Sequence, residues 1–470
     1  MSRVLATEAE VLALSPDAAS SKAAKGLQSI SKWPSVGSND VAVWGECQGS
    51  GSKPYQTQVD LSGPAFKCSC PSRKFPCKHG LALMLLRAAG QVPEGAESPE
   101  WVNAWLGGRQ DKAEKKEAKA AAIAAAPPPD PEVQAKQQAK REDKRWDKVS
   151  AGMQELSLWM QDMVRTGLAN QSSNTQARQH WNTMAARMVD AQATGMATRI
   201  KEGWELVDSH PHWARDLLVQ LGQWQLLVDA VERRESLPPA VKADVMAALG
   251  WPMDKAEVQA HGQAFSDKWL VVGLRLIERE GRLTERRVWL QGLNTGRMAL
   301  VLDYAQGGRG FEMAWVNGSS YSGTLHFYPG HGAQRALAGA DLQRLDAPAP
   351  FTAAALGDVL QQLSQRVATN PLLGAQPLWC KQAGLQFVDG QWFVRWPQGE
   401  TAAPVPAVVP DEEAWRLLAL TGGVPVVLFG EWECGPQIGR WRLLSAWQAD
   451  QSDQDGGALV PVWQNRGELL

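Results

Sequence analysis

The stretch from Cys68 to His79 reads CSCPSRKFPCKH, and it decides the fold of the segment around it. It holds three of the chain's six cysteines and one of its seven histidines. Cys68 and Cys70 are separated by one residue, and Cys77 and His79 repeat that spacing after the turn-forming loop PSRKFP. A strand points alternate side chains to one face, so Cys68 and Cys70 can hold the same ion.

Two such pairs predict a tetrahedral zinc site. A short strand, Ala65 to Cys70, is expected to enter the cluster, and an apolar helix from Gly80 to Ala89 leaves it. Known zinc sites commonly separate paired ligands by about two to four residues and bind at about 2.3 Å for sulfur and about 2.0 Å for nitrogen. The one-residue spacing here is shorter than that common range. The zinc prediction is supported because the same spacing occurs twice and an apolar helix follows.

Two other interpretations of the cysteines remain open. A redox pair normally has two residues between its cysteines and opens a helix, unlike Cys68 and Cys70. Buried thiols can also act as small hydrophobic side chains, but the neighbouring basic residues argue against that. The basic residues are Lys67, Arg73, Lys74 and Lys78.

A zinc ion with four protein ligands has no position left for water or substrate, so the predicted ion is structural and single. Its module carries Lys67, Arg73, Lys74, Lys78 and Arg87, with no acidic residue between Leu61 and Pro93. This local cationic face fits contact with phosphates or with an acidic protein surface. The third interpretation is a solvated loop whose lysines partly compensate the negative charge of the thiolates and bind no partner.

Composition excludes few functions. The 470 residues include 48 basic and 50 acidic side chains, which gives a net charge of −2 and no overall preference for nucleic acid or membrane. The N-terminus shows no signal-peptide pattern, and the apolar runs are shorter than the ~18 residues of a membrane helix. We therefore expect a cytoplasmic protein without membrane contact, in which most of the 22 tryptophans anchor cores.

The pattern along the chain predicts an α+β multidomain protein. It combines a small ββα-like zinc finger module, a helical middle domain and a β-rich α+β C-terminal region. The predicted boundaries are 1–108 for the N-terminal domain, with the finger at about 41–89, then 109–131 for a charged, Ala- and Pro-rich linker, 132–256 for the helical domain and 257–470 for the β-rich region. Whether the last is one domain or two stays open.

Several local patterns support this division. An apolar stripe at three- and four-residue steps predicts a long helix in the middle region; it comprises Val149, Met153, Leu156, Met160, Met163, Val164 and Leu168. Ser209 is a candidate cap for a later helix that begins in DSHPHWARDLL. In the C-terminal region, the Asp-Gly pair of LQFVDGQWFVRW predicts a type I′ hairpin.

Other chemistry-bearing residues have weaker signals. His210 and His212 fit a helix start better than a metal site, and His326 and His331 are interpreted as surface residues. Isolated cysteines among apolar neighbours predict core packing; they are Cys47, Cys380 and Cys434. Phosphate-binding, nucleophile-elbow, dinucleotide and zinc-protease motifs are absent from the sequence, so nothing supports an enzyme.

The residues from about Val41 to Ala89 resemble the SWIM zinc finger, whose consensus is CxCx(n)CxH. The resemblance implies Cys68, Cys70, Cys77 and His79 as the ligands. The overall layout is similar to bacterial SWIM proteins encoded beside MoxR-type AAA+ ATPases and von Willebrand A domain proteins. It implies one of these as a protein partner for a non-catalytic adaptor, with nucleic-acid binding through the basic face as the alternative.

Overall fold

The protein is described from a computed structural model that covers most of the chain. The described residues are 7–15, 18–49, 51, 53–61, 65–72, 74, 76–111, 131–171, 175–279, 283–306, 311, 313, 315–332, 334–345, 356–396, 403–433, 439–449 and 459–465. Most of the predicted linker, residues 112–130, lies outside them, as do Arg73 and Cys434.

Helices lie at the N-terminal end and dominate the middle of the described chain, and the last two helices lie among the C-terminal strands. They are α1 (Glu8–Ala13), α2 (Ala18–Lys25), α3 (Lys78–Ala88), α4 (100–111), α5 (Pro131–Thr166), α6 (Thr175–Asp190), α7 (Thr194–Trp204), α8 (Trp213–Glu232), α9 (Pro239–Ala248), α10 (Lys255–His261), α11 (Leu356–Thr369) and α12 (Asp411–Thr421). The mixed α+β composition predicted from the sequence is confirmed.

Strands form three sheets. The strands are β1 (Ser35–Ser38), β2 (Ala42–Cys47), β3 (Tyr55–Asp60), β4 (Ala65–Cys68), β5 (Gln263–Arg279), β6 (Leu283–Gly292), β7 (Met298–Gln306), β8 (Ser320–Phe327), β9 (Arg335–Ala338), β10 (Gln343–Arg344), β11 (Gln376–Val388), β12 (Gln391–Arg395), β13 (Val405–Val408), β14 (Val426–Glu433), β15 (Arg440–Ala449) and β16 (Leu459–Gln464). The sheet orders are β1-β2-β3-β4, β10-β8-β5-β6-β7-β9 and β13-β12-β11-β14-β15-β16.

The first sheet is antiparallel, and a different helix packs on each of its two faces. Val59 and Phe66 share a buried cluster with the apolar residues of α3 on one face. Trp44 packs with Val102 of α4 on the other. Strand β1, whose sequence SVGS has little strand character, was not predicted; it forms because its backbone pairs along β2.

One local prediction about this sheet is wrong. The strand expected from Ala65 to Cys70 ends at Cys68, so Cys70 does not lie on a strand. Pairing stops there because the chain must turn toward the loop that leads to Cys77. The two cysteines still reach one site, but a bend rather than strand alternation directs Cys70.

Helices α5 to α9 surround a core rich in Trp and Met. The predicted stripe of α5 is buried from Val149 to Met163, but Val164 is 48% exposed. Val164 directly follows Met163, so the helical rotation of about 100° per residue turns it away from the core. Ser209 does not cap α8: its hydroxyl donates to the Leu206 carbonyl, and His212 occupies the cap position without a side-chain cap bond.

The two six-stranded sheets pack against each other. Leu270, Val272 and Trp289 of one sheet share a buried cluster with Phe429 and Trp447 of the other. The predicted hairpin is confirmed, since Asp389 and Gly390 both have positive φ, 48° and 80°. The sequence did not decide whether the C-terminal region is one domain or two. In the structure, this shared core joins the two sheets.

Tryptophans anchor several of these cores, as the composition suggested. The fully buried large side chains include Trp181, Trp224, Trp269, Trp289, Trp441 and Trp447. No helix among the described residues is long and apolar enough to cross a membrane. The domain boundaries predicted from composition stay predictions, although contacts such as Asp244 to His331 link the helical and β-rich parts.

Two glycines of the helical region should respond to alanine in opposite ways. A Cβ at Gly203 would lie 2.7 Å from the Trp224 ring, whereas a Cβ at Gly222 meets nothing within 4 Å. Gly203→Ala should therefore destabilise by about 1–3 kcal/mol through overpacking. Gly222→Ala should stabilise by about 0.5–1 kcal/mol through helix propensity. Chemical denaturation of both variants checks this, and equal effects would contradict the close packing at Gly203.

Candidate metal centre

The structure brings the four predicted ligands together. The donor atoms of Cys68, Cys70, Cys77 and His79 all lie within 4.8 Å of one another. Nδ1 of His79 is 3.8 Å from Sγ of Cys68. Ligands at about 2.3 Å from a tetrahedral ion stand about 3.8 Å apart, so the cluster has the dimensions of a single zinc site.

Local structure explains how each ligand arrives there. Cys68 ends β4, Cys77 is the N-cap residue of α3, and His79 lies in that helix's first turn. The Cys77 side chain makes no cap hydrogen bond, which leaves its sulfur available to the metal. A Cβ at Gly80 would lie 2.9 Å from the Phe66 ring, so glycine lets the helix approach β4 closely.

The ligands are largely shielded from water. His79 is 4% exposed and Cys77 is 7% exposed, while Cys68 and Cys70 are partly buried. With all four positions of a tetrahedron supplied by the protein, a bound ion has no open site. The residues therefore fit a structural zinc ion.

The protonation of the cluster also fits a cation. Hydrogen bonds with Cys68 and Cys77 hold the pKa of the Cys70 thiol well below its usual range. Hydrogen bonds with Cys68 and Cys70, together with burial, raise the pKa of the Cys77 thiol. Burial lowers the pKa of His79, but hydrogen bonds to Cys68 and Cys70 outweigh it and raise the value to about 9. The pKa values of the neighbouring thiols are thus coupled. A bound zinc ion would favour the thiolate form of each cysteine ligand.

Two supporting residues were missed at the sequence level. The Thr57 hydroxyl lies 3.2 Å from Sγ of Cys68, and the Tyr55 ring centroid is 5.0 Å from that of His79. Both belong to β3, where Thr57 is the direct cross-strand partner of Cys68. The alternation of Tyr55 and Thr57 was visible in the sequence, but its register against Cys68 depends on strand pairing.

Thr57→Val should weaken zinc retention. Valine keeps the shape of threonine but removes the hydroxyl that donates to the Cys68 thiolate, and loss of such an outer-shell bond typically costs about tenfold or more in metal affinity. Competition with a chromophoric chelator measures this. Gln56→Ala is the matched control, because Gln56 precedes Thr57 and faces away from the metal; equal zinc loss in both variants would contradict the role of Thr57.

The four basic residues predicted to contact a partner do not share one face. Lys74 and Lys78 are exposed and line a groove of about 660 Å³ beside the metal centre. We call it the knuckle groove, defined by Ala19, Ala23, Tyr55, Cys70, Lys74 and Lys78. Lys67 is opposite Gln58, and strand alternation places it on the other face of the sheet from Phe66 and Cys68. Arg73 lies outside the described residues.

Two of the other histidines named from the sequence, His210 and His331, are hydrogen-bonded elsewhere in the protein. His210 accepts a hydrogen bond from the His212 amide at 3.2 Å, just before α8 begins. His326 and His331 are both partly exposed, and the His331 side chain keeps 37% of its surface accessible, in agreement with their interpretation as surface residues. The position of His331 is set by Asp244 of α9. The Asp244 carboxylate accepts a hydrogen bond from the His331 backbone amide and lies 3.0 Å from Nδ1 of its ring.

The other described cysteines behave as core residues. Cys47 and Cys380 are fully buried, as predicted, and Cys434 lies outside the described residues. Within the described part of the chain, the Cys68–His79 group is the one cluster of Cys, His, Asp and Glu that could hold a metal ion.

Comparison with known families agrees with this geometry. A model of the SWIM zinc finger matches residues 55–88, and a model of the SWIM-associated four-helix bundle domain matches residues 144–249. No curated protein matches the chain significantly. The finger supports zinc binding together with a general role in protein or nucleic-acid interaction. The chain therefore contains a SWIM zinc finger at residues 55–88 and, after it, a helical bundle of the kind associated with that finger at residues 144–249.

Proposed function

We propose that this protein is a non-catalytic adaptor that uses its zinc finger to dock a protein partner in the cytoplasm. The observation that carries the proposal is the closed metal site, with four donors from the protein and two of them nearly fully buried. Such an ion shapes a surface and has no coordination position for chemistry. The partner class implied by the layout is a MoxR-type AAA+ ATPase or a von Willebrand A domain protein.

Further features of the chain support docking. The finger is joined to large helical and β-rich regions, and several exposed apolar side chains lie on the bundle, among them Leu158 (67% exposed), Leu218 (51%) and Leu226 (53%). Large exposed apolar side chains can contribute to interaction sites where they lie together. These residues of the bundle are therefore candidates for further contacts with the partner.

The decisive experiment is capture followed by reconstitution. Zinc-loaded full-length protein is used as bait in a native lysate, and the captured protein is purified and titrated against the bait. We expect binding that is lost with Cys70→Ser and retained with Cys380→Ala, since Cys380 is a buried cysteine of strand β11 that is not a metal ligand. A captured protein that binds equally to Cys70→Ser would remove the finger from the docking surface.

Nucleic-acid binding is the second candidate, because Lys67, Lys74 and Lys78 are all exposed on the finger. Their placement on two faces weakens it, since a backbone-tracking site needs a continuous cationic path. It predicts affinity for a DNA duplex or a single-stranded oligonucleotide that falls steeply with salt. A salt-insensitive or undetectable signal with both probes would eliminate it.

A further inference from the structure

The knuckle groove has an open wall on the side of α2. Ala19 and Ala23 stand one helical turn apart, both are exposed, and both line the groove. Alanine at these positions leaves the space along the helix unfilled by side chains. A main chain can therefore approach α2 closely, which a wall of larger residues would prevent.

The opposite wall belongs to the finger itself. Cys70 and His79 line the groove, together with Tyr55, whose ring packs on His79 at 5.0 Å. Two ligands of the predicted zinc site thus border the groove, so the shape of the groove depends on the metal. The Cys70 sulfur can also accept N–H hydrogen bonds from a main chain laid against it.

The charges around the groove favour an anionic occupant. Lys74 and Lys78 line it, and no acidic residue is found among its described lining residues. A zinc ion with three thiolates and a neutral imidazole contributes a formal charge of −1, so the two lysines leave the surface positive. Positive surfaces select carboxylate-bearing partners and speed their encounter.

The groove suits a peptide better than a nucleic acid. Single-stranded nucleic acids are bound by a basic path combined with several aromatic platforms for the bases. Among the described residues that line the groove, Tyr55 is the one aromatic ring, and that ring already packs on His79. Lys67, which would extend a basic path, lies on the other face of the sheet.

We infer that the knuckle groove binds an extended acidic segment of a partner protein, held between the alanine face of α2 and the zinc-bound loop. The inference rests on the proposed docking function and names the chemistry of the partner. The acidic side chains pair with Lys74 and Lys78, while the segment's backbone lies along Ala19 and Ala23.

Selection from a random dodecapeptide display library on the zinc-loaded full-length protein tests this. The enriched peptides are synthesised with a fluorophore, and their binding is measured by fluorescence anisotropy. We expect enriched peptides with a net negative charge. Ala23→Trp, which fills the groove, and Lys74→Glu, which reverses its charge, should each weaken binding by about tenfold or more, the range seen for central interface residues.

Two matched controls separate the groove from general effects. Lys22→Trp adds the same bulk to α2 at a residue outside the groove lining, and Lys67→Glu reverses a charge on the other face of the sheet. Both should change affinity less than about twofold. Zinc content and circular dichroism of all four variants confirm that each is folded.

Several results would overturn the inference: no enriched peptides, peptides without acidic bias, or binding that ignores Ala23→Trp. Tight binding of a dodecathymidylate probe that depends on Lys74, with no peptide binding, would assign the groove to nucleic acid. If a reconstituted protein partner binds Ala23→Trp as well as wild type, the groove inference fails while the docking function stands. Failure of the docking function would instead show as no reconstituted partner for any variant.

Discussion

Replacing Cys70 with serine is expected to reduce bound zinc from one ion per chain to none and to unfold the finger. Cys70 lies outside any strand or helix and is half-buried, so the substitution removes a ligand and little other packing. Structural zinc contributes about 10 kcal/mol or more to the folding of such modules. That is comparable to the whole stability of a typical domain, about 5–15 kcal/mol.

Metal quantitation and hydrogen exchange measure the two effects. Amides of α3 should lose protection, whereas amides in the bundle core around Trp224 should keep it, because that core is a separate cluster. Cys47→Ala is the control: Cys47 is buried in the same module but is not a ligand, so zinc should stay stoichiometric. Full zinc occupancy in Cys70→Ser, or unchanged protection of α3, would contradict a structural four-ligand site.

The second large effect is expected at Glu431, which joins the two C-terminal sheets. Its carboxylate is fully buried and accepts from Arg275 at 2.9 Å, Arg287 at 2.7 Å and the Trp289 indole at 2.8 Å. All three donors lie on strands of the other sheet. Glu431→Gln removes the negative charge and leaves two guanidinium groups less well compensated.

We expect Glu431→Gln to destabilise this region by about 3 kcal/mol, the lower end of the range for a broken buried pair. The lower end applies because Arg275 and Arg287 keep weaker contacts with Glu433 at 3.7 Å and Glu285 at 3.8 Å. Denaturant unfolding followed by tryptophan fluorescence measures it. Glu278→Gln is the control and should cost about 1 kcal/mol or less, since Glu278 is an exposed carboxylate on strand β5.

The same site sets a pH dependence. Burial would raise the pKa of Glu431, but Arg287 and Arg275, with the Trp289 hydrogen bond, outweigh it and hold the pKa below the usual 4.5. A carboxyl with a lowered folded pKa contributes stability that is present above its unfolded pKa and lost as pH falls through the folded value. Wild type should therefore lose stability below about pH 4.5 more steeply than Glu431→Gln. Parallel curves for the two proteins would contradict the ion cluster.

The candidate site was predictable because its information is local. Cys68, Cys70, Cys77 and His79 lie within twelve residues, and the chemistry of their donor atoms restricts what they can bind. The helix after the site could be placed from its apolar run, and the structure begins it at Lys78, close to the predicted Gly80. The end of β4 was misplaced, since a bend has no strong signature in the residues Ser69 and Cys70.

The contacts around the site were not predictable, because they join residues distant in sequence. Thr57 reaches Cys68 only through the register of β3 with β4. The knuckle groove needs α2 beside the finger, and nothing in the alanine-rich sequence of α2 indicates what it faces. The separation of Lys67 from Lys74 depends on which face of the sheet each residue takes.

By itself the sequence determined the metal ligands, the α+β class and the order of the helical and β-rich regions, since these follow from residue chemistry and periodicity over short windows. The tertiary structure alone decided that the two C-terminal sheets share a core, that Glu431 meets Arg275 and Arg287, and that the basic residues divide between two faces. Those features include packing between segments as much as 173 residues apart, and no local pattern specifies which buried surfaces will meet.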